Sequence, residues 1–219
     1  MLPRTHPSYR PLGDPERSVG ARVLDLATNG VTAWGYIELQ YLLLSLLFLA
    51  LGDYEASWPP LFGGLRDAYS VRNLWGRLWH GMLRGSLVPW GRAAADWMGL
   101  KREKARFCVL VGMAFAISGV GHASAIWTVD RRLGGGALRF FLMQAVGVGV
   151  GVETEVGAIW RHFGGGNGGK WVKWVGYAWT LAWLTYTCPM LGEELVEIGL
   201  YNSDPVPWSV TRWALGMQQ

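Results

Sequence analysis

Tyr41-Leu-Leu-Leu-Ser-Leu-Leu-Phe-Leu-Ala-Leu51 is the stretch that decides the fold, an apolar run interrupted only by the hydroxyl of Ser45. Extended back to residue 32, it reaches the roughly 20 mostly apolar residues that a helix needs to cross bilayer hydrocarbon. Three more apolar blocks follow, at about residues 107–127, 138–152 and 171–191. The third is short and Gly-rich (Val146-Gly-Val-Gly-Val-Gly-Val152), which predicts a close-packed or tilted helix rather than a lipid-facing one. The expectation is an all-α, polytopic membrane protein with about four transmembrane helices plus interfacial amphipathic helices. Residues 1–31 form a polar, Pro-rich leader expected to be extended and weakly ordered. Residues 32–200 form the membrane domain and 201–219 a C-terminal tail.

Composition agrees. Of 219 residues, 51% are hydrophobic and only 16% charged, against roughly a quarter charged in soluble domains. A mean hydropathy of +0.17 is low for a chain made only of spans, so a good part of it lies outside the hydrocarbon. The 14 Trp and 8 Tyr suit membrane–water interfaces, and the 31 Gly suit close helix contacts. The net charge of +4 favours anionic lipids or phosphate-bearing ligands and is too diffuse for nucleic acid. Cys108 and Cys188 both fall in predicted spans, which argues against a disulfide framework or a zinc site. The first residues lack the charged lead and apolar core of a cleaved signal peptide.

Four spans place residues 52–106 and 153–170 on one side. With flanking charges, including Arg161, Lys170 and Lys173, that side holds twelve Lys and Arg against eight. The positive-inside rule makes it cytoplasmic by a small margin, and a re-entrant segment would invert part of the map.

Two elements carry candidate chemistry. In Ser70-Val-Arg-Asn-Leu-Trp-Gly-Arg-Leu-Trp-His-Gly-Met-Leu-Arg84, the residues Asn73, Arg77, His80 and Arg84 lie at i, i+4, i+7 and i+11. On a regular helix they form one polar ridge opposite Val71, Leu74, Trp75, Leu78, Trp79 and Met82, with Ser70 as N-cap. Such a helix lies in the interface. It serves equally as a plain anchor whose arginines meet headgroups, or as a ridge that holds a phosphate-bearing ligand beside His80. The second element is Ser118-Gly-Val-Gly-His122. His122 is an ionisable group within the second span, about one turn after Ser118, and such residues are costly and functional by default. A neutral histidine satisfied by Ser118 or a carbonyl is the structural alternative, although Gly119, Gly121 and Ala123 leave room beside the ring for a substrate.

Weaker candidates are Glu38 in the first span and Glu153 with Glu155 at the end of the third. His6 and His162 read as surface residues. The loop Gly164-Gly-Gly-Asn-Gly-Gly169 lacks the Lys-Ser/Thr of a phosphate-binding loop and reads as a flexible connector.

In this order, Ser70-Val-Arg-Asn-Leu-Trp-Gly-Arg-Leu-Trp-His80 and Ser118-Gly-Val-Gly-His122 resemble the wax-synthase branch of the membrane-bound O-acyltransferases. The chain is similar to fungal members that acetylate terpenoid or meroterpenoid natural products. Leu74 replaces the usual Phe, and Ala123 stands where plant-like members have Glu. The family's usual length is about twice this one, so the chain reads as a short or N-terminally truncated member. The resemblance implies transfer of an acyl group, acetyl by the fungal likeness, from acyl-CoA to a hydroxyl of a lipophilic alcohol. Acyl-CoA is then a co-substrate, with no bound cofactor and no metal, and the chain is a multi-pass protein of the endoplasmic reticulum. His122 becomes the general base, His80 or Asn73 the group that orients the donor or stabilises the oxyanion, and Ser118 a neighbour of the reacting groups. Arg77 and Arg84 would meet the coenzyme A phosphates. Two other classes remain: a small membrane terpene cyclase using Glu38 and Glu153 as acids, which explains the length, and a non-catalytic membrane partner.

Overall fold

A computed structural model describes residues 11–12, 14, 16–54, 58–149 and 170–200. The candidates His6, Glu153, Glu155, Arg161 and His162, the loop 164–169 and the tail 201–219 lie outside the described residues. The described chain is helical throughout. Its elements are α1 (Val19–Ala50), a 3-10 turn (Leu65–Asp67), α2 (Val71–Asn73) continued by a π-helical segment (Leu74–Leu78), α3 (Arg84–Trp97), α4 (Glu103–Val129), α5 (Gly135–Gly149) and α6 (Lys170–Glu197).

Two of these helices, α1 and α4, are long and apolar enough to cross a membrane. The apolar run 41–51 forms the last third of α1 and its C-cap, and its leucines 42, 43, 44, 46 and 47 stay exposed, as a lipid-facing surface requires. The helix starts well before that run. Ser18 Oγ accepts from Ala21 N at 3.2 Å, and Arg17 pairs with Asp25 one turn further in. Residues 19–31, read as extended leader, are therefore helical, because a cap and an ion pair supply what apolar content does not.

Packing follows chain order: α3 lies on α4, α4 on α5 and α5 on α6, while α1 closes back on α6. Small residues permit the close approaches. Gly119 of α4 sits where a Cβ would come within 3.0 Å of Phe141 Cβ, and Gly136 of α5 lies against the Met190 carbonyl of α6. As its glycines predict, α5 is tightly enclosed, with seven of its 15 residues buried. Those 15 residues reach about 22 Å, short of the roughly 30 Å of hydrocarbon.

The start of α5 is capped from another helix. Glu194 of α6 is buried, and its Oε1 accepts from Gly134 N and Gly136 N while Oε2 accepts from Ala137 N, each at 2.8 Å. One carboxylate thus satisfies three amides that a helix start leaves open, and it places negative charge at the positive end of the dipole.

Residues 71–97 make an excursion along α4. Arg72 lies over the Phe107 ring at 4.6 Å, near the start of α4, and Trp75 meets Phe115 edge-on at 5.6 Å, near its middle. α3 then returns toward the start of α4, with Gly91 packed directly on Leu110.

Candidate active site

The winding of the first motif departs from the regular helix that periodicity predicts. Ser70 is its N-cap as expected, with Oγ accepting from Asn73 N at 3.1 Å. From Leu74 the backbone opens into a π turn, closed by Trp79 N–H donating to the Leu74 carbonyl at 2.7 Å. Trp79 itself is extended (φ −71°, ψ 146°), which ends the helix before His80. The predicted ridge of Asn73, Arg77, His80 and Arg84 is therefore not one helix face. The wider turn rotates every later residue away from 100° spacing, and π segments of this kind recur at functional sites.

The ridge residues separate accordingly. Asn73 is half-buried, and its carboxamide makes no hydrogen bond within the described chain. Arg77 is exposed, 4.0 Å from Asp67 Oδ1, an ion pair of small energetic weight at a surface. Arg84 belongs to α3, and its guanidinium donates back to the Gly76 carbonyl inside the π turn. It thus ties α3 to the motif instead of extending a row of cations.

His80 faces inward. Its ring packs edge-on to Phe62 at 6.0 Å and beside Trp79 at 5.6 Å, and its Nδ1 is buried with no hydrogen-bond partner. Burial holds this imidazole below its ordinary value, and a positive charge on His122 would hold it lower still.

His122 lies on α4, seven residues before its end, on an exposed face of the described chain. Its Nδ1 is 2.9 Å from the Ser118 backbone carbonyl. A carbonyl only accepts, so Nδ1 carries the proton, and in the neutral ring Nε2 keeps its lone pair. The ring is also braced by Phe141 of α5 at 4.4 Å. Ser118 is thus a partner through its backbone, and its hydroxyl plays no part in this bond. Glu38 on α1 is half-buried, with one carboxylate oxygen enclosed and unbonded.

Sequence reasoning passed over the residue that joins the two motifs. Gln144 of α5 is fully enclosed, and its Oε1 accepts from Trp75 Nε1 and from Trp183 Nε1, both at 3.2 Å. Its Nε2 donates to Thr187 Oγ1 at 2.9 Å, and that hydroxyl donates on to the Trp183 carbonyl at 2.9 Å. Trp75 also meets Phe140 edge-on at 6.2 Å, and Phe140 meets Phe141 at 5.2 Å. A continuous set of rings and hydrogen bonds therefore runs from the π turn to the face that braces His122. The available signal was one amide in a Gly-rich helix whose other residues, Arg139 apart, are apolar.

Residues 58–143 match the model of the membrane bound O-acyl transferase family. The chain is 33% identical to the acetyltransferase ataH of Aspergillus terreus, over 94% of its own length and 71% of that protein. It is 32% identical to the acetyltransferase eriL of Hericium erinaceus, over 87% of its length and 50% of that protein. It is 31% identical to the O-mevalon transferase macI of Penicillium terrestre, over 68% of its length and 37% of that protein. Against eriL and macI, then, it spans half or less of the relative's length. No solved structure matches.

Proposed function

The chain belongs to the membrane bound O-acyl transferase family, and from that premise we propose that it moves an acetyl group from acetyl-CoA to a hydroxyl of a lipophilic acceptor, with His122 as general base. The observation that carries this reading is the hydrogen bond from His122 Nδ1 to the Ser118 carbonyl, which leaves Nε2 ready to take a proton. That ataH and eriL are acetyltransferases supports the acetyl group, and a lipophilic alcohol such as a terpenoid is the acceptor class that suits a site among membrane helices.

In the proposed reaction, His122 Nε2 removes the hydroxyl proton as the alcohol oxygen attacks the thioester carbonyl carbon. The tetrahedral intermediate collapses with loss of the coenzyme A thiolate, which takes the proton back from the imidazolium. His80, with its buried unpartnered Nδ1, is the group assigned to the developing oxyanion, where a preorganised donor is most effective. Asn73 and Ser118 would line the donor path, and Arg77, with the Arg84 N–H groups that the Gly76 carbonyl does not take, would meet its phosphates at the outer end. Four transmembrane helices, α1, α4, α5 and α6, go with this reading.

Microsomes bearing the chain, supplied with labelled acetyl-CoA and a hydroxylated terpenoid, test it. Label recovered in an ester, and lost with His122→Ala at equal protein level, is the expected result. Ester formation that survives in the His122→Ala variant would overturn the assignment of the base. Absence of label from the acceptor with the wild-type chain would overturn the activity.

A further inference from the structure

The antiparallel pair α3–α4 ends in a tip, residues 98–102, at the point where the apolar stretch of α4 begins. Beside this tip runs a groove of about 210 Å³ lined by Arg92, Ala95, Glu103, Arg106, Phe107 and Leu110. Arg106 is committed within the chain, donating to Asp96 at 2.6 Å and to the Leu100 carbonyl at 3.0 Å. Arg92, Lys101, Arg102 and Lys104 are not: all four are exposed, and none makes a hydrogen bond or ion pair within the described chain. The helix start adds to this field, since Arg102 at the N-cap makes no side-chain bond to the first-turn amides of α4. Of the two carboxylates here, Asp96 is spent on Arg106 and Glu103 lines the groove.

Apolar groups share the tip. Trp97 is 89% exposed and Met98 53%, separated by two residues from the basic run that begins at Lys101. An indole exposed at the boundary of an apolar helix sits at headgroup depth, which brings the neighbouring cations level with lipid phosphates. The floor of the groove, Ala95, Phe107 and Leu110, is apolar, matching the glycerol and upper acyl part of a phospholipid.

We propose that this groove is a binding site for an anionic phospholipid, with Arg92 and Lys101 on the headgroup phosphate, Arg102 and Lys104 on its further negative charge, and Trp97 anchoring the tip in the interface. The site lies at the opposite end of the apolar stretch of α4 from His122. Sixteen residues separate Arg106 from His122, about 24 Å of helix rise. The proposal is independent of the acyl-transfer reading and rests only on the chain being a membrane protein.

The full chain, purified in mild detergent with defined lipid added, tests it by native mass spectrometry. Phosphatidylserine or phosphatidylinositol is expected to be retained in preference to phosphatidylcholine. The Arg92→Gln/Lys101→Gln variant is expected to lose that preference by roughly fivefold per cation removed at low salt. Arg131→Gln/Arg132→Gln, which removes as much charge at the other end of α4, is expected to keep it. Equal retention of phosphatidylserine and phosphatidylcholine would overturn the proposal, as would equal loss in the two double variants. Displacement of the lipid by coenzyme A at equal concentration would assign the phosphates to that ligand instead and overturn the lipid reading.

Discussion

The amide of Gln144 and the indole of Trp75 are joined across 69 residues of chain, Nε1 of the half-buried Trp75 donating at 3.2 Å to Oε1 of the fully enclosed Gln144. This contact ties the π turn to α5, the helix whose Phe141 ring braces His122. Gln144→Leu removes the acceptor of two indole N–H groups and the donor to Thr187. Each buried polar group left unpaired costs about 1–3 kcal/mol, so a clear fall in the melting temperature of the detergent-solubilised chain is expected. Gln144→Glu keeps an acceptor for both indoles and is expected to fall between Leu and wild type. Equal melting temperatures for wild type and Gln144→Leu would show that the hub bears no load.

Ser118 and His122 should separate cleanly by mutation. His122→Ala is expected to lower acyl transfer by at least about 100-fold, the lower end of what a general base supplies. Ser118→Ala leaves the carbonyl that fixes the imidazole tautomer in place, so a loss of less than tenfold is expected. Initial rates of labelled ester formation at equal protein level check both. A Ser118→Ala loss as large as that of His122→Ala would move the essential contact to the hydroxyl.

The apolar blocks were legible because span length is a one-dimensional property: α1 and α4 follow directly from runs of leucine, valine and phenylalanine. The first motif was legible as chemistry but not as geometry. Its 100° spacing predicts one ridge, whereas the π turn and the extended Trp79 break it, and local periodicity carries no record of the packing against Phe115 and Gln144 that favours that break. Glu194 was missed for a related reason. A carboxylate near the end of an apolar helix looks solvated until the start of α5 is seen to lie against it.

His80 gives the chain a pH dependence of defined sign. Burial first, and a positive charge on His122 second, lower its pKa below the ordinary value of 6.5. In the window from about 6.5 down to the lowered value, the unfolded chain binds more protons than the folded one, so stability falls as pH falls. Melting temperatures between pH 7.5 and 5 are expected to decline for the wild type and to decline less for His80→Gln. A steeper decline in His80→Gln would contradict the buried, neutral imidazole.

Glu194 supplies a test of the fold apart from the reaction. Its carboxylate holds three amides of the α5 start, and charge-assisted bonds of this kind exceed neutral ones in strength. Glu194→Ala leaves all three amides open inside the protein. A loss of about 3 kcal/mol or more is expected from the unpaired amides together. Glu194→Gln retains one acceptor oxygen and is expected to lose less. Because α5 carries both Gln144 and the Phe141 ring that braces His122, fraying of its first turn should first appear as proteolytic cleavage near Gly134. Limited proteolysis of the solubilised variants reads this directly. Cleavage no faster in Glu194→Ala than in wild type would mean that helix packing alone holds the start of α5.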